Sequence, residues 1–74
     1  MLNKERILKE RSDAISFLKA TQERMKRLNE FIESDDFCPL EELQQALLKM
    51  QNGTMAILVD NLQQYCKILE KRLE

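Results

Sequence analysis

The sequence has no histidine and no tryptophan, and its 74 residues include one glycine, one proline and two cysteines. Without histidine, Ser-His and Cys-His catalysis and imidazole metal ligation are excluded. A single glycine cannot build a glycine-rich phosphate loop. Aromatic residues make up 5%, and strand-favouring residues are scarce beside Leu, Glu, Lys, Gln and Arg, all strong helix formers. No apolar run approaches the ~20 residues that span a bilayer. The opening Met1-Leu2-Asn3-Lys4-Glu5-Arg6 goes straight into charged helix and has no apolar core of a signal peptide. An all-α, non-enzymatic chain follows, a single domain over residues 1–74, with no cofactor, no metal and no membrane contact, in the cytoplasm.

What is present is a long helical pattern. From Asn3 to about Glu33 no glycine or proline intervenes, and Ile7, Arg11, Ala14, Leu18, Thr21, Met25, Leu28 and Ile32 recur at alternating steps of 4 and 3. That spacing is a heptad seam. Leu8, Ile15, Phe17 and Phe31 flank it and widen the stripe to the breadth of a bundle helix. The pattern breaks over Ser34 to Cys38. Pro39 suits the first turn of a second helix, and Glu41 and Glu42 favour its N-terminal dipole. The second helix is expected over residues 39–72. Its apolar positions (Leu40, Leu43, Leu47, Met55, Leu58, Leu62, Tyr65, Leu69, Leu73) follow a period nearer 3.67. Asn52-Gly53 is a turn signal, but the apolar phase crosses it without a jump, which predicts one continuous helix.

Helices over about 3–33 and 39–72, joined by some five residues, give an antiparallel two-helix hairpin in which residue numbers sum to about 72. That register places Arg11 near Asp60, a candidate register pair, and Phe17 near Gly53, where the missing side chain would make room for its ring. Cys38 and Cys66 then lie about 28 helical positions, or ~42 Å, apart, far beyond the ~7 Å reach of a disulfide. Free thiols fit a reducing compartment.

Met55-Ala56-Ile57-Leu58-Val59 is the most telling stretch, five apolar residues in succession. At ~100° per residue they encircle the helix, and one partner helix covers only one stripe. The hairpin is therefore expected to pair with itself, forming a homodimeric four-helix bundle, and to present apolar faces to another protein. The candidate interface is Ile15, Phe17, Phe31, Met50, Met55, Ala56, Ile57, Leu58, Val59, Leu62 and Tyr65. Met25, Met50 and Met55, with Phe17 and Phe31, would suit an adaptable binding surface, although core packing at helical spacing is the plainer reading.

Net charge is −1, which argues against a general nucleic-acid binder. The charge is uneven, however. Residues 1–27 carry eight basic and four acidic side chains, a balance of +4, whereas residues 28–48 carry six acids and no base. Lys4, Arg6, Lys9, Lys19, Arg24, Lys26 and Arg27 form the nucleic-acid alternative. Acids at pairing distance, such as Glu5 with Lys9 and Glu23 with Arg27, make a solvated, self-neutralised face the plainer reading. The function expected is a small non-enzymatic interaction module: an adaptor, a chaperone-like escort or an inhibitor. The alternatives are a nucleic-acid-associated regulator and a structural coiled-coil component.

Overall fold

The structure is a computed structural model that describes residues 3–74. Helix α1 spans Lys4–Ile32 and α2 spans Glu42–Leu73, and the two lie side by side as an antiparallel hairpin. The result is a rod of 52 × 15 × 14 Å, two helices wide. α1 begins where the Oδ1 of Asn3 accepts the Arg6 amide at 2.9 Å, a side-chain N-cap.

The heptad seam expected for α1 is the face it buries. Ile7, Ala14, Thr21 and Leu28 are buried, and Arg11, Leu18, Met25 and Ile32 between them are half-buried. Thr21 tolerates this position because its hydroxyl donates to the Phe17 carbonyl at 2.8 Å. α2 answers with a seam of equal regularity. Leu48, Asn52, Met55, Val59, Leu62, Cys66, Leu69 and Leu73, again at steps of 4 and 3, are half-buried or buried. The period of 3.67 expected for α2 is corrected by this pattern. Leu43 and Leu47 lie on a different face, and joining them to Leu62 and Leu69 mimicked a slow drift. α2 runs unbroken through Asn52-Gly53.

The turn is longer than expected, because α2 starts at Glu42 and not at Pro39. Phe37 is the cause. Its ring is only 5% exposed, edge-on to Phe31 at 6.2 Å between centroids. The side-chain amide of Gln45 donates toward the carbonyls of Phe37, Cys38 and Leu40 at 3.3, 3.1 and 3.0 Å. One side chain from the first turn of α2 thus satisfies the backbone of a compact turn, which outcompetes extra helix.

The later start of α2 moves the register. Tyr65 meets Glu10, and Arg11 meets Glu70, so paired numbers sum to 75 and 81, not 72. Arg11 forms its ion pair with Glu70 at 3.9 Å. Asp60, ten residues or about 15 Å away along α2, accepts a hydrogen bond from Gln64. The expected Arg11–Asp60 pair is replaced accordingly. Gly53 does not receive the Phe17 ring either, since a Cβ built there meets nothing within 4 Å.

Candidate functional site

The hairpin covers one face of each helix and leaves a second apolar face of α2 bare. Leu43, Leu47, Met50, Thr54, Ile57, Asn61, Gln64 and Ile68 recur at steps of 4 and 3 and form a second heptad. It is offset by five residues from the seam that faces α1, or ~140° around the helix. A helix with two apolar heptads can satisfy both only between two neighbours. Here it has one. Leu43 is 68% exposed, Met50 67% and Ile57 74%, while Leu47, Tyr65 and Ile68 are also exposed. No charged residue interrupts the stripe between Leu43 and Ile68.

The expected interface residues divide accordingly. Val59 and Leu62 are buried against α1 and are not free for a partner. Ile15 packs against the core formed by Ile7, Ala14, Cys66 and Leu69. Met55, in the seam that faces α1, and Leu58, beside it, are half-buried, and Ala56 and Ile57 are exposed. Thus the five-residue apolar stretch does encircle the helix, and α1 covers only part of it. Phe17, 52% exposed, lies over a groove that it shares with Ala20, Thr21, Arg24, Met55 and Leu58. This groove adjoins one lined by Leu47, Met50, Gln51, Thr54 and again Met55. The bare stripe and Phe17 therefore lie on one side of the hairpin. Phe31 is spent largely on the turn, against Phe37.

Sequence reading missed two features. Phe37 is a buried anchor, and the ammonium of Lys49 sits 5.7 Å from its ring centroid. The outer heptad was legible as a period-3.5 ladder from Leu43 to Ile68, but it was masked because its first members fell in line with the inner seam.

The electrostatics are modest. Tyr65 donates its hydroxyl to Glu10 at 3.1 Å. Desolvation first, then the hydrogen bond and charge of Glu10, raise its phenol above the ordinary 10.0. Lys4, Arg6, Lys9, Lys19, Arg24, Lys26 and Arg27 are all exposed. At ~100° per residue they scatter around α1 and share no single stripe, and Arg27 lies 3.9 Å from Glu23. Among the described residues, no group of three or more acidic or cysteine side chains is placed to hold a metal ion, and no helix is long and apolar enough to cross a membrane. Cys38 is exposed and Cys66 buried, and both are free.

Fold and face together define a class: a small two-helix hairpin that carries a second, unpartnered helical seam. Over residues 18–74 the chain matches the family model described as Sequestin, and it belongs to that family. No curated protein and no solved structure matches it.

Proposed function

We propose that this chain is a non-enzymatic sequestering protein that captures another protein on its apolar helical side and masks it, while associating with itself. The family name, Sequestin, speaks of holding a molecule apart. The observation that carries the reading is the charge-free outer heptad of α2, whose central residue Ile57 is 74% exposed. An exposed stripe with five apolar positions of eight and no charge marks an interaction site. The adjoining groove under Phe17 supplies an aromatic anchor beside a cation, Arg24, a pairing enriched where proteins bind proteins. The site of action in this reading is the cytoplasm, which the free thiols of Cys38 and Cys66 support.

The test is capture from lysate with wild-type chain and Phe17→Glu, read by mass spectrometry in 0.1 M and 1 M salt. Wild type should retain a protein partner at both salt concentrations, because apolar contacts are little screened. Phe17→Glu should lose it while helical circular dichroism is unchanged. Recovery of nucleic acid alone, released as salt rises, would refute the reading and favour the basic residues of α1.

A further inference from the structure

We propose that Asn52-Gly53 is a self-modification site, at which local opening of α2 is converted into an irreversible break in the hairpin. The Gly53 backbone nitrogen, on losing its proton, attacks the side-chain carbonyl carbon of Asn52. The bond from that carbon to the carboxamide nitrogen breaks, ammonia leaves, and a five-membered succinimide remains. Water then opens the ring at one of its two carbonyls and leaves aspartate or isoaspartate at position 52. Water is the only other reactant.

The surroundings of this turn favour the reaction once the helix opens. Gly53 is exposed, has no side chain to obstruct the attack, and a Cβ there would meet nothing within 4 Å. Asn52 stands in the seam that faces α1, half-buried between Leu48 and Met55. Its Oδ1 is nevertheless shielded from solvent and accepts no hydrogen bond, so no donor anchors that oxygen and its desolvation goes uncompensated. α2 is also held unevenly along its length. Its buried residues are Val59, Leu62, Cys66 and Leu69, all beyond Gly53, and from Glu42 to Leu58 none is buried. The half that contains Asn52-Gly53 is therefore the half that opens at least cost, and a glycine in mid-helix weakens it further.

The closed helix protects the site. α2 is continuous through both residues, so the Gly53 amide donates to the carbonyl four residues back. A helical ψ of about −42° also turns its nitrogen away from the ring-closing geometry. Reaction waits on opening, and its rate follows the open fraction. The products then disfavour closure. Isoaspartate adds a methylene to the main chain, which breaks the 3.6-residue repeat between Leu48 and Met55 and throws the two parts of the seam out of phase. Aspartate puts a carboxylate at a half-buried position where even the neutral oxygen has no donor. The site depends on α2 alone, whatever else α2 binds.

Ageing the whole chain at 37 °C and neutral pH, native and in urea, tests this. Isoaspartate is read by labelling with a protein isoaspartyl methyltransferase. Its position is read by mass spectrometry of the tryptic peptide 50–67, cut after Lys49 and Lys67. In urea the label should accumulate at position 52. In the native chain it should accumulate at least about tenfold more slowly, since attack needs the open state. Gly53→Ala, which keeps the helix and crowds the attacking nitrogen, should lose most of the label in urea. Isoaspartyl chains, separated chromatographically and returned to native buffer, should show reduced helical circular dichroism and a lower Tm. Absence of isoaspartate at position 52 in urea, equal rates in the native and unfolded chain, or isoaspartyl chains that melt like wild type would each overturn the proposal.

Discussion

Gly53 shows how a residue can be read for its conformation and not for its contacts. It sits in mid-helix, and a Cβ there would touch nothing, so the position bears the entropic cost of glycine without a packing reason for it. Gly53→Ala should stabilise the hairpin by about 1 kcal/mol. In a domain of this size that raises Tm by roughly 4–8 °C, measurable in a thermal melt. Arg11 illustrates the opposite limit. Its ion pair with Glu70 is long, with 37% and 53% of the two side chains exposed, and Glu70→Ala should cost under about 1 kcal/mol. Tyr65 offers a titration. Its pKa is raised by desolvation and by Glu10, so the folded chain holds the phenolic proton more tightly than the unfolded chain. The stabilisation is then complete below the unfolded pKa and is lost as pH rises through the folded one. Absorbance at 295 nm should show tyrosinate forming above the ordinary 10.0, and Glu10→Gln should move the midpoint down.

At the scale of elements, α1 was almost fully legible. Its eight-position heptad from Ile7 to Ile32 is the face that it buries, because period alone fixes the buried stripe of a long helix. The continuity of α2 was legible for the same reason. The turn was not. Pro39 and the acids after it gave a valid local signal for a helix start, but a long-range packing event overrode it: Phe37 folds back on Phe31, and Gln45 closes the loop from the other side. No local pattern announces such a contact. The error propagated, since a later α2 start shifted every cross-helix pair, Arg11 among them. Phe37→Ala should therefore act well beyond the loop. Removing a side chain only 5% exposed should cost about 3 kcal/mol, a large share of the few kcal/mol that hold a chain this short together. Chemical denaturation would show a lower midpoint. A loss below about 1 kcal/mol would mean that Gln45 alone shapes the turn.

For the whole molecule, the decisive quantity is the dependence of stability on concentration. A two-helix rod buries one seam per helix, and the sequence supplies α2 with two. In the sequence the surplus was visible only as five apolar residues in a row. The structure resolves it into a directional stripe with Ile57 at its centre. If that stripe is covered by a second copy, unfolding releases two chains, and mass action ties Tm to concentration. A tenfold rise in concentration stabilises the dimer by about 1.4 kcal/mol, or about 0.7 per chain. That corresponds to a rise in Tm of roughly 3–6 °C per decade. Ile57→Glu should flatten the slope to nothing. It should leave the low-concentration Tm near that of the isolated hairpin, because Ile57 takes no part in the seam between α1 and α2. A Tm independent of concentration in wild type would mean that the hairpin holds together unaided, with the outer seam of α2 left entirely to a different molecule.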